Sequence, residues 1–272
     1  SSGDWYSRLT DAYVGWQPDK ARDLRILKHS AGFTLDGATS SKKLLTLQRN
    51  NLTNNLWFTA EYFTGASAKG KIGENWSYRA GVFSTDPSDE IGMQDGSYFV
   101  LSSIGYDFAE KIGVDSARFR LDYVYNDKDE EANTRDLEQV LSLSSKWQWG
   151  ENARWWLWTD LAAGEGYFDQ PDIWGLSLMP IYNHSQHVQW VLRYTYLDSD
   201  GDNGLRLGRY EREISTGRGD EYNEIYAGFN LFFYGHKLKW QTGIQYTSMD
   251  DEAGDGGRYD GWGLTTGLRA SW

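Results

Sequence analysis

Nine basic side chains fall on one phase of the chain's alternating segments: Arg79, Arg118, Arg120, Lys146, Arg154, Arg193, Lys237, Lys239 and Arg269. Four acids share that phase: Asp122, Glu138, Asp160 and Glu224. The whole chain runs the other way, with 39 acids against 27 bases and a net charge of -12. A guanidinium fork suits phosphate oxygens and a lysine acts as a point charge. Rings or ladders of such groups are how anion-conducting pores select. A polar interior also needs charges for its own pairing, and Arg118 and Arg120 with Asp122 can absorb part of the surplus. Both readings stand, and the surplus of bases favours the first.

A second basic feature is residues 34–55, Thr-Leu-Asp-Gly-Ala-Thr-Ser-Ser-Lys-Lys-Leu-Leu-Thr-Leu-Gln-Arg-Asn-Asn-Leu-Thr-Asn-Asn. Lys42, Lys43 and Arg49 stand there against Asp36 alone. Leu44, Leu45, Leu47 and Leu52 should not hang in water. Folded into a lumen, the leucines would lie on the wall and the cations would face the pore. A packed surface loop is the competing reading.

Other chemistry is thin. Asp198-Ser-Asp-Gly-Asp-Asn-Gly places Asp198, Asp200 and Asp202 at alternate positions, like a calcium loop. Its sixth position is Asn203 and its twelfth Arg209, so the helix-loop-helix calcium pattern fails and only a loose cation site is conceivable. His184 and His187 sit at a turn with no third ligand nearby. No nucleophile elbow, phosphate-binding loop or zinc signature appears, so neither an enzyme nor a bound cofactor is expected. The acidic charge argues against nucleic acid as a partner.

The elements that would carry the basic phase are strands. From Trp262, alternate residues read Trp262, Leu264, Thr266, Leu268, Ala270 and Trp272 on one face, and Gly263, Thr265, Gly267, Arg269 and Ser271 on the other. Aromatics bracket the apolar stripe, as in the interfacial girdles of an outer-membrane barrel. The same pattern recurs in Val188, Trp190, Leu192, Tyr194 and Tyr196, and in Phe119, Leu121, Tyr123 and Tyr125. Strands are predicted at 5–16, 24–33, 56–65, 76–85, 97–108, 117–126, 137–149, 154–163, 172–183, 187–197, 221–234, 237–247 and 259–272. Short and long connections alternate through the C-terminal half, and the acid-rich ones lie on one side. That pattern suits short periplasmic turns and long extracellular loops better than a sandwich. Aromatics at 16% suit girdles. No uncharged apolar run reaches the ~18–20 residues of a membrane helix, which says nothing against strands of ~9–11 residues. The absence of Cys excludes a disulfide framework. No leader pattern is visible, so the sequence reads as mature or trimmed. The fold class expected is all-β: one transmembrane antiparallel β-barrel domain over 1–272.

Several stretches together resemble the phosphate-selective porin O and P family. They are Asp11-Ala-Tyr-Val-Gly-Trp16, then 28–36, Thr39-Ser-Ser-Lys-Lys43, Gln48-Arg-Asn50, Gly81-Val-Phe-Ser84, Tyr226-Ala-Gly-Phe-Asn230 and Gly267-Leu-Arg-Ala-Ser-Trp272. The resemblance implies a sixteen-stranded, trimeric outer-membrane channel with a constriction loop folded inward. The thirteen strands would then be its C-terminal part, with about three more upstream. By motif position, Arg49 and then Lys42 and Lys43 carry over as constriction residues. Arg79, Arg118, Arg120, Arg193, Lys237, Lys239 and Arg269 would line the pore. The implied partners are small anionic solutes, outer-membrane lipid and lipopolysaccharide, and two further copies of the chain. The leading expectation is a passive channel preferring anions such as phosphate. The alternatives are a general porin for small neutral solutes and a non-conducting structural or adhesive barrel, to which inward Trp156, Trp158 and Phe232 would contribute.

Overall fold

The computed structural model describes residues 6, 9–19, 21–56, 62–86, 97–127 and 134–271. Thirteen strands form one antiparallel sheet in which every strand pairs with its neighbour in sequence. They are β1 (Ala12–Asp19), β2 (Arg22–Ser30), β3 (Tyr62–Ile72), β4 (Trp76–Ser84), β5 (Tyr98–Asp107), β6 (Ser116–Asp127), β7 (Leu137–Trp149), β8 (Trp155–Gly166), β9 (Ile173–Asn183), β10 (Val188–Ser199), β13 (Glu221–Phe232), β14 (Leu238–Asp250) and β15 (Tyr259–Ala270). A small hairpin, β11 (Leu205–Arg206) with β12 (Arg218–Gly219), lies inside the connection from β10 to β13. The described residues also form two short α-helices, α1 (Asn51–Leu56) and α2 (Ala109–Ile112).

Among the described residues the number of strands matches the sequence reading; the second strand ends at Ser30 rather than 33, and the first and third strands move most. The first strand begins at Ala12 rather than Trp5, which lies outside the described residues. The third begins at Tyr62, and Leu56 ends a helix instead of opening a strand. Alternation over Phe63, Gly65, Ser67, Lys69 and Lys71 was masked by small residues on both faces. Pro180 sits within β9 and faces outward. The β9–β10 pairing skips from Ile181 to Leu178 around it, as expected where a ladder donor is lost.

Outward positions are apolar and bare: Leu192 is 54% exposed, Ile225 60% and Leu264 72%. Aromatic rings flank this band at both ends. Near the short turns, Trp76, Tyr106, Phe108, Phe119 and Trp147 touch in sequence around the rim. The series resumes at Trp190, Phe229 and Trp240. Near the long loops, Trp174 meets Tyr196 and Tyr246 meets Trp262. At that end the indole of Trp174 donates to Asp198, and Tyr194 donates to Asn223. An aromatic with an apolar body and a polar tip is at home where hydrocarbon meets water.

The core lies on the other face. Residues 31–56 leave the long-loop end and run back across the inside of the sheet, so the wall curves around them. Leu35, Leu44, Leu45, Leu52 and Leu56 are all buried. Near the long loops, Phe33, Leu52 and Leu56 join Leu101, Val124, Val140, Ala162, Ile173 and Leu197 of the wall in one cluster. Deeper in, Leu35 and Leu45 pack with Trp158, Met179, Ile181, Val191 and Tyr226. Trp156 and Trp158 therefore form a bed beneath the segment rather than an exposed aromatic track. Glycines make room for it. A methyl added at Gly175 would meet the Leu52 side chain at 2.9 Å and the Tyr196 carbonyl at 2.4 Å, and one at Gly267 would meet Leu47 at 2.8 Å. A large side chain from the segment thus fills what a wall residue without Cβ leaves open.

Two outcomes follow. Tryptophan emission should be quenched by lipids brominated on their acyl chains, through Trp76, Trp190 and Trp240; a detergent-free monodisperse protein with unquenched emission would contradict the outward band. Leu52→Ala should cost about 2–5 kcal/mol locally. Hydrogen exchange should then accelerate over 34–56 while β13–β15 stay protected, and a uniform loss of protection would contradict separate wall and segment.

Candidate channel constriction

A chain that crosses a lumen without helix or sheet leaves carbonyls that need donors. Here the wall supplies them. Arg79 donates to the Gly32 carbonyl, and Arg120 to that of Thr34 at 2.7 Å. Lys146 reaches the Thr39 hydroxyl at 3.2 Å. Arg269 donates to the carbonyls of Ser41 and Leu47, and Lys239 to that of Leu44. Asn230 takes the Leu45 carbonyl at 2.9 Å, and Arg193 the Thr46 hydroxyl at 3.0 Å. One tie runs in the opposite sense: Asp160 accepts the Leu35 N–H at 2.6 Å while also accepting from Ser142. Strands β4, β6–β8, β10 and β13–β15 all hold the segment. A hydrogen bond to a charged group contributes roughly 1.5–3 kcal/mol, so this set competes well with the entropy of a mobile loop.

The segment also closes on itself. Arg49 donates to the carbonyls of Asp36 and Thr39, drawing 36–39 against 49. Buried Asp36 accepts the Asn50 N–H at 2.8 Å, and Asn50 accepts from Thr53. Lys42 and Lys43 occupy a 3-10 turn, Ser41–Lys43, that is exposed beside Arg269 and Ser271.

The residues expected to line the pore therefore divide. Arg193 and Lys239 point inward but are buried under the segment, at 3% and 0% exposed, and do not line open space. Arg193 is paired with Glu224 at 2.8 Å, and this buried pair is satisfied further by Thr46. Arg120 pairs with Asp122 at 2.8 Å and remains partly open. Arg118 lies at the rim of the short-turn end, paired with Asp107. Lys237 is exposed in the turn before β14, over the Tyr234 ring. Arg79 and Arg269 are half-buried at the edges of the segment. Asp198, Asp200 and Asp202 do not converge: among the described residues no group of three or more acids or histidines could hold a metal.

The space beside the segment has its own lining. A cavity of about 490 Å3 opens against the inner face of β2–β6, lined by Arg22, Asp23, Lys69, Lys71, Arg79 and Arg120 together with Ser77, Tyr78 and Ser103. Asp23 there is shared between Arg25 at 2.8 Å and Lys69 at 3.2 Å, so one carboxylate faces two cations. Cross-strand register explains the grouping: Asp23, Lys69, Arg79 and Ser103 are successive partners, and Lys71 stands opposite Ser77. Arg22, Arg25, Lys69 and Lys71 escaped the sequence reading. The third strand runs from Tyr62 to Ile72 rather than over 56–65, which brings Lys69 and Lys71 onto the wall. The cue was the alternation of small residues, Ala66, Ala68 and Gly70, with Ser67, Lys69 and Lys71.

A family model described as phosphate-selective porin O and P matches residues 1–154. No curated protein sequence matches the chain. Solved structures do match in shape. OprB of Pseudomonas putida aligns with TM-score 0.64 at 10% identity, over 96% of this chain and 72% of its own. OmpT of Vibrio cholerae aligns with TM-score 0.59 at 11% identity, over 96% and 80%. OccK2 of Pseudomonas aeruginosa, determined in complex with glucuronate, aligns with TM-score 0.58 at 13% identity, over 94% and 68%. These are outer-membrane channel folds, and the antiparallel β-barrel architecture is shared with them. The chain belongs to the phosphate-selective porin O and P family and is an outer-membrane porin, a channel and not an enzyme.

Proposed function

We propose that this porin prefers small anions, phosphate among them, and that they pass between the segment 31–56 and the wall formed by β2–β6. The carrying observation is the cavity on that side, whose lining carries Arg22, Lys69, Lys71, Arg79 and Arg120 against one acid, Asp23. A cation bonded to a neutral carbonyl keeps its full charge, so Arg79 and Arg269 add to the positive field even while holding the segment. Inside a narrow passage with low-dielectric walls such a field is weakly screened and raises the local concentration of anions. Segment 34–55 acts as the constriction, with Lys42 and Lys43 exposed on its short-turn side and Arg49 bracing its fold.

The barrel proposed around this passage has sixteen strands. Both β1 and β15 run from the long-loop end toward the short-turn end, so they are parallel to one another. Antiparallel closure needs an odd number of strands between them, and three give an even total, as bacterial barrels have. The family resemblance also supports a homotrimer set in lipid and lipopolysaccharide, which chemical cross-linking in outer membranes would register as a threefold ladder.

Selectivity is tested by reversal potentials across a salt gradient in planar bilayers. The wild type should be anion-selective. Lys71→Glu should move the potential toward cations, and Arg258→Glu, in the exposed 251–258 loop, should move it much less. A cation-selective wild type, or equal effects of the two variants, would replace the anion channel with a general porin. Phosphate added to a chloride bath should lower the chloride current if phosphate is held in the passage; an unchanged current restricts the preference to anions in general.

A further inference from the structure

The connection from β10 to β13 is not a free extracellular loop. Its hairpin dips into the barrel and is buried at Leu205 and Leu207, which join the same cluster as Leu52 and Leu56 of α1. The two elements are also joined through the backbone of one residue, Arg206. Asn51 Nδ2 and Asn55 Nδ2 donate to the Arg206 carbonyl at 2.8 and 3.0 Å, and the Arg206 N–H donates to Asn55 Oδ1 at 2.8 Å. Asn51 and Asn55 stand one helical turn apart, so both amides reach the same edge of the hairpin. Both are buried, at 2% and 5% exposed, where losing a partner strands a polar group.

We propose that Asn51 and Asn55 are positioning residues for the constriction: their amides strap the β11–β12 hairpin onto α1, and the seated hairpin sets the aperture by holding the C-terminal end of the 31–56 segment in place. This rests on the reading of that segment as the constriction.

The strap works against a load. Arg206 stands directly opposite Arg218 in the hairpin, and like charges across a two-stranded ribbon are destabilising. Arg135 reaches the same helix, donating to the Asn54 carbonyl at 2.8 Å. Burial, and then the charges of Arg206, Arg212 and Arg218, bring Arg135 down to about 10, so it stays charged and adds to the crowding. Asp136 offsets part of it. Arg218 is anchored on Gln170 and the Gly204 carbonyl. The Arg206 guanidinium makes no hydrogen bond or ion pair among the described residues, so its charge can be removed without breaking one. Amide bonds hold the hairpin down while guanidinium repulsion lifts it. Two opposed effects of this kind give a seated and a lifted state, hence two conductance levels.

The test is single-channel recording of the full chain in planar bilayers. Removing both Asn51 and Asn55 amides, as Asn51→Ala with Asn55→Ala, should raise the occupancy of a larger conductance level about tenfold or more. Replacing 205–218 by a short Gly-Ser link should give that same level permanently, and combining the two changes should add nothing. Arg206→Gln should lower the occupancy of the larger level below that of wild type. This opposite sign separates a strap from simple damage to the vestibule, which every variant would worsen. An unchanged level in the double alanine variant, a level different from that of the shortened chain, or an Arg206→Gln effect in the opening direction would overturn the proposal. Deleting 41–50 is the separate check on the premise. If that deletion leaves conductance unchanged, the segment is not the constriction and the strap proposal is overturned with it; if conductance rises, the variants above judge the strap alone.

Discussion

Everything inside this barrel depends on satisfying the backbone of a segment that has little regular structure. Water can do that for a surface loop. In a lumen whose wall strands spend their backbone groups on one another, the donors must come from side chains. Long cations are suited to the task, because they reach a carbonyl several ångströms from the wall and a bond to a charged donor is strong. Arg79, Arg120, Arg193, Lys239 and Arg269 all serve this way, Arg193 through the Gln48 carbonyl. The apolar half of the same problem is met by glycines, with Leu52 over Gly175 and Leu47 over Gly267. The segment is therefore fixed in place by features scattered over nine strands.

This distribution decides where open space can be. The segment is tied to β4, β6–β8, β10 and β13–β15, and its leucines pack on the inner face of β8–β10 and β13. Open space remains on the short-turn side, against the inner face of β2–β6, where the charge is basic, and in a second cavity of about 750 Å3 beside Trp156, Gln189 and Phe232. Charge and architecture are thus linked through register: the row Asp23, Lys69, Arg79, Ser103 exists because the hairpins of β2–β5 align those residues, and one slip would send all of them to the lipid face.

Much of this was legible in the sequence, for a definite reason. A strand between lipid and lumen must alternate, and large residues such as Trp190, Leu192 and Tyr194 write that alternation plainly. Where both faces are small, as in Ala66, Ser67, Ala68 and Lys69, the period is present but quiet, and the strand was placed several residues early. Arg193 and Lys239 show a different limit. Alternation tells which face a residue is on, not what lies over that face. Their burial depends on a segment more than a hundred residues away. The Asn51 and Asn55 amides were invisible for the same reason, since nothing near them in sequence indicates that Arg206 is their partner.

The double duty of the cations bears on how their substitution is to be read. A change at Arg49 or Lys239 alters the field and also frees carbonyls of the segment, so a shift in ion preference there mixes charge with movement of the constriction. Lys71 faces the passage without holding the segment, and Arg206 carries charge without a bond of its own. Only at such positions does a change in current report one cause. On the proposed reading, selectivity and aperture rest on partly separate residues, β2–β6 for the first and α1 with its hairpin for the second, although both draw on the same basic side chains.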